Sequence, residues 1–171
     1  GSNMCIMFNK EIMDALGITQ EDVQTEEGFY AACEKVKNSG YQVDGQSVLP
    51  VVLQCNLWIN SSLDGIVSWN FGAVPVDENG NYRHMELSPG YKNGLKFLNT
   101  LVQKNYLDVN TLTIDETALK TYLDAKRVFC WIGNQAQQDK TNMPWVSFGP
   151  ILASNGARPA MPVNQSAGTG W

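Results

Sequence analysis

The chain has 171 residues, 43% hydrophobic and 17% charged, which fits one folded domain with a real core and excludes an intrinsically disordered segment. A formal net charge of −5, a sequence pI near 4.8 and the lack of any basic stripe argue against nucleic acid as a partner. The longest apolar run, Val48–Leu53, is far too short to cross a bilayer, and no signal-peptide pattern opens the chain.

Residues 1–4, Gly-Ser-Asn-Met, read as a cloning remnant, and the chain closes on a loop-like Gly168-Thr169-Gly170-Trp171. Both ends suggest a piece of a longer parent. Asn9 is placed to cap a short helix through Leu16, with Gly17 to end it. Thr25 opens a second helix to about Asn38, with Phe29, Cys33 and Val36 on one face. Val48–Leu53 is interrupted by Pro50, which restricts it to an edge strand or an extended segment. Leu57–Phe71 has helical spacing, weakened at Gly65 by roughly 1 kcal/mol relative to Ala.

Ala73–Val76 and Tyr82–Met85 flank Asp77-Glu78-Asn79-Gly80, whose Asn-Gly pair predicts a hairpin. Ser88-Pro89 starts a helix with the stripe Leu95, Leu98, Leu101 and Val102, lasting to about Lys104. Thr113 or Asp115 begins a further helix to about Leu123. Arg127–Ile132 is a buried strand ending at Gly133, and Trp145–Phe148 is another. From Gly149 onward the chain is rich in Pro, Gly, Ser and Asn and reads as a loop, or as a tail that needs something else to pack on. The sum is a helix-rich α/β domain with a small sheet.

The residues offer little for catalysis. The single histidine, His84, has no Cys or His partner at metal-ligand spacing and reads as a solvated strand residue. A Ser-His-Asp or Cys-His site would need that same histidine, and no G-x-S-x-G elbow accompanies it. No G-x-G-x-x-G or Walker pattern occurs, so no cofactor is expected. The acidic pairs Glu26-Glu27, Asp77-Glu78 and Asp115-Glu116 fall at helix starts or in a turn, where acids serve the helix dipole or face water. The four cysteines, Cys5, Cys33, Cys55 and Cys130, form no C-x-x-C pair. Cys33 and Cys130 lie in apolar surroundings and are expected as buried free thiols, though an even count also permits disulfides. Five Trp, six Tyr and six Phe beside many amides suit sugar recognition, with rings covering C–H faces and amides bonding hydroxyls. The same rings also suit an ordinary core, the more common use of each individual aromatic.

Four blocks carry a family resemblance. Met7-Phe8-Asn9-Lys10-Glu11-Ile12-Met13-Asp14-Ala15-Leu16-Gly17-Ile18 resembles the "YNKDLLKKAGI" segment of family 1 extracellular solute-binding proteins. Thr25-Glu26-Glu27-Gly28-Phe29 stands where that family has a Thr-Trp-Asp/Glu-Glu helix start, here without the Trp. Val76-Asp77-Glu78-Asn79-Gly80 and Leu87-Ser88-Pro89-Gly90-Tyr91-Lys92-Asn93-Gly94-Leu95-Lys96-Phe97-Leu98-Asn99 resemble the "D-E-N-G…S-P-E-Y-K-E-G-L-K-Y-L" block. Leu107-Asp108 and Ala125-Lys126-Arg127-Val128 resemble "GLIDPE…GKVAM".

The resemblance covers about residues 5–150 and implies the second lobe of a two-lobe, periplasmic-binding-protein-like fold. Residues 151–171 would then lead back toward a first lobe of the same parent chain. It further implies a non-enzymatic protein that traps a sugar or oligosaccharide by lobe closure and hands it to an ABC permease. Such a parent works outside the membrane, lipid-anchored or periplasmic. By position within the motifs, the resemblance makes Phe8 a cleft aromatic and puts ligand contacts in Trp131, Asn134 and Gln135, with Trp69 a weaker candidate and Gly133 a sharp exit from the strand. Phe8 and the Trp131–Gln135 segment are thus expected to line one exposed face. Two other readings stand beside this one: a fragment of a carbohydrate-active hydrolase, and an autonomous carbohydrate-binding module.

Overall fold

A computed structural model describes residues 4–53, 65–113, 115–134, 145–156 and 159. Strand β1 (Met4–Asn9) runs into helix α1 (Lys10–Leu16), followed by α2 (Gln20–Val23) and α3 (Glu26–Asn38). Two short strands, β2 (Gln42–Val43) and β3 (Gln46–Ser47), lead into β4 (Leu49–Leu53). Helix α4 spans Pro89–Gln103 and α5 spans Glu116–Asp124; β5 (Val128–Asn134) and β6 (Trp145–Val146) complete the described elements. The main sheet has the order β4-β5-β1-β6. Only β4 and β5 are parallel; β1 is antiparallel to both β5 and β6.

Local chemistry sets the helix ends. The Asn9 side chain accepts the N–H groups of Glu11 and Ile12 at 3.0 and 3.4 Å, and Gly17, at φ +62°, takes the left-handed turn that closes α1. Thr19 and Asp22 form a reciprocal capping box on α2. Thr25, Ser88 and Asp115 cap α3, α4 and α5. Glu26 and Glu27 stand in the first turn of α3, Asp115 caps α5, and Asp77 accepts N–H groups within its turn. Pro50 sits in β4, an edge strand of the main sheet, and the pairing with β5 passes over it from Leu49–Val128 to Val51–Cys130. The neighbouring Val51 N–H turns outward to the Tyr106 carbonyl at 3.0 Å.

The core lies on both faces of the sheet. Ile6 and Phe8 of β1 join Val51, Leu53, Cys130 and Ile132 in the larger cluster, which α3 and α4 cover. Helix α3 passes across this face. Phe29 touches Phe8 on β1, Cys33 approaches Cys130 on β5, and Glu34 bonds Tyr106, which is tied to β4. Met7, Val52 and Trp131 point to the opposite face, under Leu119 and Leu123 of α5 and against Trp145.

Several expectations need correction. Residues 57–64 of the expected Leu57–Phe71 helix lie outside the described residues, and Gly65–Asn70 forms a π-helical turn. On α4, Leu95 is exposed rather than packed. The buried face instead includes Gly90, Gly94, Phe97, Leu98 and Leu101. Gly90 lets the chain after the π turn approach closely, since a Cβ there would lie 2.2 Å from the Phe71 carbonyl oxygen. The hairpin reduces to a single bridge, Val76–Tyr82. Arg83 N–H donates to the Pro75 carbonyl at 2.9 Å, but Pro75 has no N–H to return, so the ladder ends there. His84 is exposed, as expected, but precedes a 3-10 turn (Met85–Leu87) instead of lying in a strand.

Among the described residues after Gly149, Ile151 and Leu152 pack on this lobe. Ile151 is buried, with both of its backbone groups bonded to the Asn70 side chain. Leu152 exchanges hydrogen bonds with Gln24 and Glu26 at 2.8 and 2.9 Å.

Candidate functional site

The parallel pair defines one edge of the sheet. Leu49, Val51, Val52 and Leu53 pair in sequence with Val128, Cys130, Trp131 and Ile132, so β4 and β5 both run toward the same edge and end there at Leu53 and Asn134. Antiparallel β1 begins at that edge, with Met4 opposite Asn134 and Cys5 opposite Gly133. In open α/β sheets, ligands sit outside the carboxyl ends of the parallel strands, where backbone groups and loops converge. The sequence directly after Leu53 is Gln54-Cys55-Asn56-Leu57-Trp58, and after Asn134 it is Gln135-Ala136-Gln137-Gln138. Both stretches are rich in amides; their conformation lies outside the described residues. What the sequence reading missed is the parallel pairing of β4 with β5, which brings the ends of two distant segments together. The signal was present in the compact apolar pattern of both strands, since strands buried on two faces read as continuous hydrophobic runs.

The residues singled out from sequence fall in different places. Asn134 closes β5 at this edge. Gln135 lies outside the described residues. Gly133 stays in the ladder opposite Cys5, so it is no sharp exit. Phe8 is 1% exposed and packs against Phe29, Phe129 and Phe148 at ring distances of 6.1, 5.6 and 6.0 Å. Trp131 is fully buried against Trp145, and its indole N–H has no acceptor among the described residues. Because Phe8 pairs with Cys130 and Met7 with Trp131, the two rings project from opposite faces of the sheet. Phe8 is also four residues along β1 from Met4, the partner of Asn134, a separation of about 13 Å at strand spacing. The expected single exposed face carrying both Phe8 and Trp131 is therefore not formed; both rings are core. The physical reason is the coverage of both sheet faces by helices, which leaves no solvent side for a strand aromatic. Trp69 is half-buried on the π-helical turn that packs against α4.

Two surface hollows lie away from this edge. A polar one of ≈ 270 Å³ lies between α3, α4 and the chain at 154–155. Its floor is committed to structure: Glu26 accepts the Tyr30 hydroxyl at 2.8 Å and the Ser154 N–H at 3.1 Å. Burial, and then the Glu26 carboxylate, push the Tyr30 phenol well above its ordinary range. The other, ≈ 350 Å³, is framed by Pro75, Tyr82, Arg83, His84 and Met85.

Among the described residues, no group of three His, Cys, Asp or Glu side chains is placed to hold a metal. Cys5, Cys33 and Cys130 are free thiols, while Cys55 lies outside the described residues. Burial pushes the Cys33 and Cys130 thiols well up, away from the reactive thiolate form.

The fold is a helix-rich α/β lobe of the solute-binding-protein type, with a small mixed sheet. No family model and no curated protein matches the chain. Solved structures do. The Streptococcus pneumoniae ABC-transporter substrate-binding protein FusA in complex with kestose aligns with a TM-score of 0.73 at 17% identity, covering 93% of this chain and 33% of FusA. An EF-hand mutant of FusA in complex with fructo-nystose aligns at 0.74 and 16% identity, again with 93% and 33% coverage. A chitin oligosaccharide binding protein aligns at 0.66 and 19% identity, covering 90% of this chain and 39% of that one. The chain thus spans about a third of the length of FusA, and these neighbours are binding proteins. No helix among the described residues is long and apolar enough to cross a membrane.

Proposed function

We propose that this chain is one lobe of a two-lobe extracellular solute-binding protein that captures a sugar or oligosaccharide for an ABC importer. The observation that carries the reading is the convergence of the carboxyl ends of β4 and β5 on one sheet edge, in a fold that matches one third of a sugar-bound transport protein. That edge offers one wall of a cleft. Asn134, which ends β5, and Gln135, next in sequence, are the amide residues that the family resemblance offers for hydroxyls. Trp69, half-buried on the π-helical turn, is the further stacking candidate. The opposite wall belongs to a first lobe of the same parent chain, and closure of the two lobes traps the ligand. The permease and an extracellular, lipid-anchored or periplasmic setting follow from the same reading. The protein supplies binding and no chemistry of its own.

The test is a pair of substitutions in the two-lobe parent, Asn134→Ala and Gln135→Ala, read by calorimetry with kestose and chito-oligosaccharides. The reading predicts at least tenfold weaker binding with an unchanged melting temperature. Unchanged affinity for a ligand that does bind would remove this edge from the site.

A further inference from the structure

The loop after Val76 carries part of a calcium-binding pattern. An EF-hand loop of twelve places side-chain oxygens at positions one, three and five and Gly at six. It then uses a backbone carbonyl at seven, a further oxygen at nine and a bidentate Glu at twelve. Counting from Asp77, this chain has Asp77, Asn79 and Asn81 at one, three and five. The remainder departs: Tyr82 stands at six, Met85 at nine and Ser88 at twelve. One FusA neighbour is described as an EF-hand mutant, and the matched portion is a third of that chain.

We infer that Asp77–Ser88 is a calcium loop in spacing only, closed by its own hydrogen bonds and holding its shape without a cation. The Asp77 carboxylate is already engaged. Its Oδ1 accepts the N–H groups of Asn79 and Asn81 at 2.9 and 2.8 Å, and its Oδ2 accepts the Asn81 side-chain amide at 3.3 Å. Asp77 N–H returns a bond to the Asn81 carbonyl at 3.0 Å, and Gly80 N–H donates to the Asp77 carbonyl at 3.0 Å. The Asn81 N–H, first among these contacts, holds the carboxyl below its usual range, and the nearby Arg83 charge adds to this.

The remaining positions do not fit a hard cation that takes six to eight oxygens. Met85 offers a thioether, a soft and weak ligand. Ser88 is buried, and its hydroxyl accepts the Tyr91 N–H at 3.3 Å as the cap of α4. The Tyr82 ring, 85% exposed, occupies the place of the turn glycine. Arg83 brings a positive charge into the loop at position seven.

The experiment is thermal unfolding of the 171-residue chain in millimolar calcium chloride and in EDTA, for the wild type, Asp77→Ala and Asn79→Ala. The inference expects the same midpoint in both buffers for the wild type. Asp77→Ala should lower the midpoint by a few degrees, equally in both. Asn79→Ala should change neither, because Asn79 serves the closed loop through its backbone N–H while a cation would need its side-chain oxygen. A saturable calcium-dependent rise of the wild-type midpoint, lost in either variant, would overturn the inference. So would an Asp77→Ala midpoint equal to that of the wild type in EDTA, since the carboxylate would then not close the loop. A failure to bind sugar leaves these readouts untouched, so this inference and the transport reading fail separately.

Discussion

The Asn70 side-chain amide exchanges two hydrogen bonds with the backbone of Ile151, donating to its carbonyl and accepting its N–H, each at 2.9 Å. Both residues are 1% exposed. The amide thus imitates a strand partner and fastens the chain beyond Gly149 to the π-helical turn. Asn70→Ala strands two buried backbone groups and is expected to destabilise the lobe by about 3 kcal/mol. Urea unfolding checks this. Asn70→Asp should be at least as harmful, because a carboxylate cannot donate to the Ile151 carbonyl.

Phe8 is expected to act on stability and not on ligand affinity. It is packed among three other rings, and Phe8→Ala removes a large buried side chain at a cost of about 3–5 kcal/mol. Phe8→Leu should recover most of that loss. In the two-lobe parent, Phe8→Leu should leave the dissociation constant for a bound oligosaccharide within twofold of wild type. A tenfold weakening by calorimetry, with the fold intact, would return Phe8 to the ligand site.

These two residues show what the sequence could and could not convey. Caps depend on a few neighbouring atoms, so Asn9, Thr25 and Ser88 were legible at once, Asp115 was one of two candidates beside Thr113, and the stop at Gly17 was plain. The Pro50 argument for an edge strand held for the same local reason. Phe8 was misplaced because a strand aromatic looks the same whether its sheet face is open or covered, and α3 covers this one from a distant part of the chain. The hairpin was overextended because Pro75 was counted as a strand residue, although it cannot donate to a ladder. The Asn70–Ile151 bond joins residues far apart in sequence and leaves no local trace. The site edge itself depends on a parallel pairing of two distant segments, whose trace in the sequence is the continuous apolar character of each strand and not which strand pairs with which.

Acid should weaken the packing of α3 against the chain at Tyr106. The Tyr106 hydroxyl donates to the Glu34 carboxylate, and this bond, followed by that from Asn38, holds the Glu34 carboxyl below its ordinary value of 4.5. A carboxyl lowered in the folded state stabilises fully above its unfolded pKa, and that contribution is lost as pH falls through the folded value. The stability gap between wild type and Tyr106→Phe should therefore be full at pH 7 and close progressively below about pH 4.5. Tyr106 is shifted the opposite way, raised by burial and then by Glu34, so its contribution to stability should also fall as pH climbs from its ordinary value of 10.0 through the raised folded value. Denaturant midpoints across pH check both limbs. A gap independent of pH would sever the link between the bond and either titration.

The buried thiols should be silent. Cys33 and Cys130 are fully buried, with burial holding their thiols protonated. In a Cys55→Ser variant, a thiol reagent at neutral pH should modify at most Cys5 rapidly, and all three remaining thiols only after unfolding in guanidinium. Rapid native modification of Cys33 or Cys130, located by peptide mass mapping, would show that the α3 face of the core opens easily.

The central claim is that this lobe supplies half of a closing cleft. Binding energy in such a cleft comes from both walls, so one wall alone holds a small polar ligand poorly against water. Calorimetric titration of kestose and chito-oligosaccharides into the 171-residue chain and into its two-lobe parent tests this most directly. The account predicts a dissociation constant no tighter than about 1 mM for the lobe alone, and binding at least a hundredfold tighter by the parent. Equal micromolar binding by both would contradict it and make this chain an autonomous carbohydrate-binding module.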